Sequence, residues 1–161
     1  MKLSIYRSKV DLSTIEVIKD FLQKVYRDIL EISMEKDELL ILENAFNSSR
    51  EQYDASILQQ YLVSVKNRNL ALWVIKEDIY WKGMNFIFGC AIPWSCAILS
   101  VSRLHSKELI GKEAIHEAGH ILGLSHCRNN CVMQFSNSLE EAMLKPLYLC
   151  GECREKLYRK K

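Results

Sequence analysis

The chain has 161 residues, of which 48% are hydrophobic and 26% are charged, and its net charge is +2. These values are typical of a folded globular protein, and the low counts of Pro (2) and Gly (6) exclude a collagen-like or linker-rich chain. The near balance of charges gives no reason to expect nucleic acid or an acidic membrane surface as a partner.

Hydrophobic patterning predicts nine elements, in the order strand, helix, strand, helix, three strands, helix and short helix. Short apolar runs predict the strands at residues 3–7, 39–42, 70–75, 86–91 and 97–101. Apolar side chains at helical spacing predict helices at residues 14–30, 50–66 and 106–122, and a short helix after Ser138. Two capping boxes, Ser13 with Glu16 and Ser49 with Gln52, mark the starts of the first two helices.

This order of elements predicts an α/β fold with a mostly parallel sheet, because strands that alternate with helices are joined by right-handed crossovers. The strands that crowd together before the third helix predict at least one antiparallel strand. The longest uncharged run, residues 83–102, contains Gly, Pro and Ser, so it predicts two strands joined by a turn and not a membrane helix. Since no long linker interrupts the pattern, we predict one domain over residues 1–161, with a sheet-and-helix part (1–126) and a cysteine-rich part (127–161).

The third helix carries a metal-binding pattern, His116-Glu117-x-x-His120, and Gly123 and His126 follow it. Residues four apart lie on one side of a helix, so both imidazoles can bind the same zinc ion. A glycine after the helix permits a left-handed residue that turns the chain back and brings the third histidine to that ion. Three histidine ligands leave one zinc position for water, whose proton the neighbouring glutamate can take. The pattern is the metzincin signature, and it predicts a catalytic zinc with Glu117 as the general base.

The same signature includes a methionine in a downstream turn, and Met133 stands at the corresponding place. Its thioether is expected to lie beneath the three histidines as an apolar floor and not as a ligand. The alternative is a methionine that only fills a gap in the hydrophobic core, and its physical environment would be nearly the same.

Four of the six cysteines form two close pairs, Cys127 with Cys131 and Cys150 with Cys153. Two such pairs are typical of a tetrahedral zinc site with four thiolates, which has no open position and is therefore structural. The ion would hold the loop-like C-terminal part in place. Two disulfides are the alternative interpretation.

The first residues of the chain, 1–9, lack the apolar core of an export signal. This indicates a cytoplasmic location, where disulfides are disfavoured and clustered cysteines more often bind metal. The remaining two cysteines, Cys90 and Cys96, fall in predicted apolar strands and are expected to be buried thiols.

Residues 116–153 resemble the archaemetzincins, a small metzincin-like family in which the histidine motif leads directly into a four-cysteine site. The family's Phe-Ser-Asn-Ser stretch stands at residues 135–138, and residues 50–55 (Arg-Glu-Gln-Tyr-Asp-Ala) and 83–89 (Gly-Met-Asn-Phe-Ile-Phe-Gly) are similar to further family segments. The resemblance implies a compact metzincin-like α/β domain with a twisted five-stranded sheet. It also implies two zinc ions per chain, a catalytic one on His116, His120 and His126 and a structural one on Cys127, Cys131, Cys150 and Cys153.

The chain departs from the family pattern in its spacers and at one aromatic position. The spacer between the first two cysteines and the spacer after Met133 are each one residue shorter than in the family. Loops of this kind absorb one residue, so the ligand set is retained. Phe135 stands where some metzincins have a tyrosine, so no hydroxyl is available there to stabilise developing charge. That stabilisation must then come from zinc itself, from a backbone amide or from another side chain, for which Gln134 and Asn137 are the candidates.

The predicted function is the hydrolysis of a peptide bond in a peptide or protein substrate by zinc-activated water. The strand around residues 86–88 is either the edge that holds the substrate as an antiparallel strand or an internal strand. Arg103 and His105, just before the third helix, either line the cleft or have solvated and capping roles. The alternative function is a zinc-stabilised adaptor protein whose histidine site is idle or occluded. We expect a monomer without nucleic-acid or membrane partners.

Overall fold

The computed structural model describes residues 1–159. Strands and helices alternate through the first half of the chain. The elements of this half are β1 (Lys2–Ser8), α1 (Leu12–Tyr26), β2 (Glu31–Met34), a 3-10 turn (Glu43–Ala45), β3 (Phe46–Asn47), β4 (Gln52–Asp54), α2 (Ala55–Val65), β5 (Leu70–Ile75) and β6 (Ile79–Tyr80). The second half continues with β7 (Gly89–Ile92), β8 (Cys96–Ser100), α3 (Lys107–Ile121), α4 (Leu139–Leu144) and α5 (Gly151–Arg159).

Five strands form a mixed sheet in the order β2-β1-β5-β8-β7. Neighbouring strands are parallel except at β7, which runs antiparallel to β8 and forms one edge. This confirms the predicted α/β fold with a five-stranded mixed sheet. A second, three-stranded sheet in the order β3-β4-β6 was not predicted, because its strands are only two or three residues long.

Apolar side chains fill both faces of the five-stranded sheet. On one face α1 and α3 pack against the sheet, and its other face is covered by α2 and the small sheet. The first core contains Ile18, Leu22, Leu72, Val74, Leu99 and Ala118, and the second contains Leu58, Leu62, Trp73, Ile75 and Ile98. The first core extends to the C-terminal part through Val132, Met133 and Leu157, so the cysteine-rich residues pack against α1 and α3.

The predicted second strand at residues 39–42 is wrong, and β2 lies at Glu31–Met34 instead. Pairing with β1 decides the position, since Lys2 to Ile5 align with Glu31 to Met34 in parallel. Residues 39–42 run as an extended loop whose Leu40 is 79% exposed. Helix α1 accordingly ends at Tyr26, four residues before the predicted end, so that the chain can reach β2.

Both predicted capping boxes are also wrong. Helix α1 begins after Asp11, which forms no side-chain cap, and α2 begins after Asp54, which accepts a hydrogen bond from the Ser56 backbone N–H at 2.9 Å. The predicted starts of α3 and of the short helix after Ser138 are correct, and there the hydroxyls of Ser106 and Ser138 accept hydrogen bonds from the backbone N–H groups three positions later. Helix α5 was not predicted. Within residues 1–159 no helix combines the length and apolarity needed to cross a bilayer.

Candidate active site

Helix α3 places His116 and His120 one turn apart at its C-terminal end. The helix ends at Ile121, and Gly123 adopts a left-handed backbone with φ of +80°. The Leu124 N–H donates to the Gly119 carbonyl at 2.9 Å, which closes this reversal of the chain. The reversal brings His126 back beside the helix, as the sequence predicted for a glycine at this position.

The three imidazoles meet at one point. One ring nitrogen from each of His116, His120 and His126 lies within 4.8 Å of the other two. The ring centroids are 4.5 Å apart for the helical pair and 5.3 and 4.8 Å from His126. His116 is buried and His126 is exposed, so the cluster opens to solvent on the side of the third histidine.

Backbone carbonyls orient the two helical rings. The Nδ1 atom of His116 is 2.9 Å from the Val132 carbonyl oxygen, and the Nδ1 atom of His120 is 2.7 Å from the Leu124 carbonyl oxygen. A carbonyl only accepts hydrogen bonds, so each Nδ1 carries the proton and each Nε2 presents a lone pair. The two Nε2 atoms are 3.0 Å apart, and a cation between them would remove the repulsion of these lone pairs.

The electrostatic surroundings favour neutral rings. Burial lowers the pKa of His116, and the positive charge of Lys145 lowers it further. Burial also lowers the pKa of His120 and of His126. Neutral imidazole is the form that binds metal, so the donor set fits zinc.

Glu117 projects into the cleft beside the histidines and is 4% exposed. Burial raises its pKa to about 8, and the nearby carboxylate of Glu113 raises it as well. Its Oε2 atom has no hydrogen-bond partner among residues 1–159. The carboxyl group packs against β7, where a Cβ added to Gly89 would lie 2.7 Å from it. The absence of a side chain at Gly89 therefore leaves room for this carboxylate.

Met133 lies fully buried below the end of α3. Its sulfur packs against Gly119, where an added Cβ would clash with it. The Met133 carbonyl accepts a hydrogen bond from the Cys127 N–H at 2.9 Å, which ties it to the residue after His126. Met133 therefore packs against the helix that carries His116 and His120, and its role as a floor beneath the three histidines stays a prediction.

The four predicted cysteines also meet. The sulfur atoms of Cys127, Cys131, Cys150 and Cys153 lie within 4.8 Å of one another, and all six cysteines are free thiols, so the disulfide alternative is not realised. Burial opposes ionisation of Cys150, but hydrogen bonds from the Cys153 N–H and from Asn129 outweigh it and lower its pKa to about 6. A thiolate at the start of α5 is a suitable zinc ligand.

The cysteine and histidine clusters share one short stretch of chain. Val132, whose carbonyl orients His116, directly follows Cys131. Cys127 directly follows His126. Both clusters therefore depend on the same loop.

A cleft of about 400 Å³ adjoins the histidines. One side is formed by the edge strand β7 and the preceding residues 81–88, and the other by α3 and residues 135–137. The predicted substrate-holding strand at residues 86–88 is thus displaced, because the edge strand itself is Gly89–Ile92. Asn137 lines the cleft, and the Phe135 ring is 5.1 Å from the His126 ring.

The structure also places the remaining candidate residues, and for Arg103 and His105 it favours the alternative outside the cleft. Arg103 bonds to Asp78 and His105 is exposed, and neither they nor Gln134 are among the residues that line the cleft. Cys96 is buried as predicted, whereas Cys90 is half-buried and lines the cleft.

A buried ion pair beside the cleft was not predicted. Lys145 contacts Glu113, a cleft-lining residue on α3, with 2.6 Å between Nζ and Oε1. The two residues are 32 positions apart, and no local motif links them. Only their unusual burial could have marked these charged residues, and burial is not visible in the sequence.

Comparison with known proteins gives consistent matches. The model of peptidase family M54 matches residues 4–159. The archaemetzincin of Archaeoglobus fulgidus is 40% identical over 164 residues, which cover 98% of this chain and 99% of that protein. The archaemetzincin of Nanoarchaeum equitans is 40% identical over 134 residues, covering 83% of this chain and 79% of its own.

Solved structures agree with these matches. The crystal structure of the Archaeoglobus fulgidus archaemetzincin complexed with malonate has a TM-score of 0.86 at 38% identity, covering 97% of this chain and 99% of that one. The archaemetzincin structure from Methanopyrus kandleri has a TM-score of 0.87 at 33% identity, covering 99% of this chain and 94% of that one.

Proposed function

The chain belongs to the archaemetzincins of peptidase family M54, and from this premise we propose that it hydrolyses peptide bonds at a zinc site with Glu117 as the general base. The observation that carries the proposal is the arrangement of His116, His120 and His126. Their rings converge beside a buried carboxylate in an open cleft. Their neutral, inward-facing nitrogens match the ligand set of a zinc ion that keeps one position free.

When bound, a zinc ion would polarise the scissile carbonyl and make water at the site more acidic. Glu117 has the position and the free oxygen for proton transfer. Its Oε2 atom, which has no partner within residues 1–159, would take a proton from the attacking water and pass it to the leaving amine. Burial raises the pKa of Glu117, which makes its carboxylate a stronger base towards the attacking water, and a pKa close to neutral pH suits a group that must both take and release a proton.

The edge strand β7 is the proposed platform for the substrate. An extended peptide would add to Gly89–Ile92 as a further strand, which places its backbone across the histidines. The Asn137 amide lines the opposite side and is the proposed additional donor to the developing oxyanion, since Phe135 has no hydroxyl.

The four cysteines are proposed to hold a second, structural zinc ion. Four thiolates leave no open position, and the cluster lies where α5 joins the loop that carries His126. The alternative of an adaptor with an occluded site gains no support, because His126 is exposed and the cleft is open beside it.

The test compares Glu117→Ala with Glu108→Gln, a change at an exposed glutamate of the same helix. Each variant is loaded with zinc and incubated with a peptide library, with a chelated sample as the blank. Glu117→Ala should keep about two zinc ions per chain and lose at least about 100-fold in turnover. Unchanged turnover in Glu117→Ala would refute the assigned mechanism.

A further inference from the structure

Residues 81–88, the cleft-wall segment, form one apolar side of the cleft. Trp81, Met84, Phe86 and Phe88 of this segment line it. The backbone of the segment forms a turn, with the Met84 N–H donating to the Trp81 carbonyl at 2.9 Å, and a bridge from Ile87 to β6. At its end the Phe88 carbonyl accepts a hydrogen bond from the Ser100 N–H of β8 at 2.8 Å. Residues 81–87 are not part of the five-stranded sheet, so side-chain contacts contribute to their positioning.

Two polar side chains reach the backbone of this segment, Arg50 from the turn before β4 and Gln52 from the first position of β4. Arg50 Nη2 donates to the Met84 carbonyl at 2.6 Å and to the Asn85 carbonyl at 3.1 Å. Gln52 Nε2 donates to the same Asn85 carbonyl at 2.9 Å. Arg50 Nε also donates to Gln52 Oε1 at 2.9 Å, and its guanidinium stacks on Tyr80, 3.9 Å from the ring centroid.

The contacts continue to the aromatic side of the wall. Gln52 Nε2 donates to Asp78 at 2.9 Å, and Arg103 binds both oxygens of Asp78 at 2.8 and 2.7 Å. The Arg103 guanidinium lies 4.0 Å from the Phe86 ring centroid. Burial opposes ionisation of Asp78, but the hydrogen bonds from Arg103 and Gln52 outweigh it and lower its pKa.

The character of the cleft indicates which substrate side chain the wall accepts. Within residues 1–159, the residues that line it include the carboxylates of Glu113 and Glu117 and no lysine or arginine. An acidic substrate side chain would meet no lysine or arginine among the described lining side chains, whereas a large apolar side chain would be buried against the aromatic wall.

We propose that Arg50 and Gln52 are positioning residues for substrate binding, which hold the cleft-wall segment as the surface that selects a large apolar side chain. The selection of a substrate side chain rests on the proposed peptidase function, whereas the positioning of the cleft-wall segment does not. The proposal also links two of the segments noted in the sequence, since Arg50 and Gln52 of residues 50–55 donate to the Met84 and Asn85 carbonyls of residues 83–89.

The positioning is tested without catalysis, by hydrogen exchange of the chelated, full-length protein. Arg50 is exposed, so Arg50→Ala should fold, and Arg68→Ala is the matched control at an exposed arginine between α2 and β5. We expect faster exchange of peptides that cover residues 81–88 in Arg50→Ala, with the sheet unchanged. Arg50→Lys retains the charge but has fewer hydrogen-bond donors than arginine. Exchange of residues 81–88 in Arg50→Lys should therefore be faster than in the parent protein and slower than in Arg50→Ala. Equal exchange of residues 81–88 in all variants would overturn the positioning role.

The selection is tested with two peptides that differ only in having Phe or Ala beside the scissile bond. We expect Arg50→Ala to raise KM for the Phe peptide by about tenfold, the effect of losing a charge-assisted hydrogen bond, with kcat nearly unchanged. KM for the Ala peptide should change little. A loss through kcat that is equal for both peptides would overturn the selection. If the unmodified protein cleaves neither peptide, the proposed function and the selection both fail, while the exchange experiment still decides the positioning.

Discussion

The Glu113–Lys145 pair offers a sharp test of the packing around α3. The pair joins the helix that carries Glu117 to the residue that follows α4. Its side chains are 3% and 1% exposed, and its atoms are 2.6 Å apart. Lys145→Met keeps most of the apolar stem and removes the ammonium group, which leaves the Glu113 carboxylate buried without its partner.

The expected loss is about 3–5 kcal/mol in the free energy of unfolding, because breaking one partner of a buried pair leaves an uncompensated charge. Proteins of this size shift their melting temperature by about 2–4 °C for each kcal/mol, so Lys145→Met should melt roughly 6–20 °C lower. Changing both residues, to Gln at Glu113 and Met at Lys145, should recover much of the loss because no buried charge remains.

An exposed pair with the same separation supplies the control. Lys156 and Glu152 are also 2.6 Å apart, but their side chains are 55% and 58% exposed. Lys156→Met should therefore leave the melting temperature nearly unchanged, since water already screens this pair. Thermal and urea unfolding of the zinc-loaded proteins at neutral pH measure all three variants and the parent.

Two results would refute the reasoning. The first is a Lys145→Met variant that is no less stable than Lys156→Met. The second is a double variant that is no more stable than Lys145→Met, because the cost would then come from lost packing and not from the buried charge.

Replacing Cys150 and Cys153 by Ser should release one zinc ion. It should also weaken zinc binding at the histidines, because the same loop contributes to both clusters. Metal analysis measures the first effect and chelator competition the second. Gly89→Ala should lose hydrolysis in a peptide assay, since the added methyl group would lie 2.7 Å from the Glu117 carboxyl group and press on the adjoining strand. Asp78→Asn should destabilise the protein at neutral pH but not near pH 2, as urea unfolding can show. The lowered pKa of Asp78 means that its stabilisation is present above the ordinary pKa of about 3.9 and is lost as the pH falls.

Each of these expectations has an outcome that contradicts it. Two zinc ions per chain in the serine variant would show that the cysteines have another role. Gly89→Ala is compared with Gly151→Ala, where an added methyl group meets open space, and equal activity of both would contradict the close approach at Glu117. A stability loss in Asp78→Asn that stays constant down to about pH 2 would contradict the assigned ionisation.

Local patterns predicted much of the candidate site. The spacing of His116 and His120, the glycine at Gly123 and the Ser106 cap depend on helix geometry over a few residues, and the structure realises all of them. The strand at residues 70–75 was predicted with correct bounds, because a continuous apolar run is typical of a strand buried on both faces.

Other features depend on which distant segments meet. The apolar run at residues 39–42 satisfies the requirements of a strand as well as residues 31–34 do, and only pairing with β1 distinguishes them. The same holds for Arg50, whose donors reach carbonyls 34 and 35 residues away.

The sequence alone predicted the two candidate metal-binding groups, since ligand type and ligand spacing are short-range properties. The tertiary structure alone determined the edge strand beside the cleft, the wall held by Arg50 and Gln52, and the Glu113–Lys145 pair. These features rest on burial and on hydrogen bonds between remote residues, and a chain acquires both only when its sheet and helices have packed together.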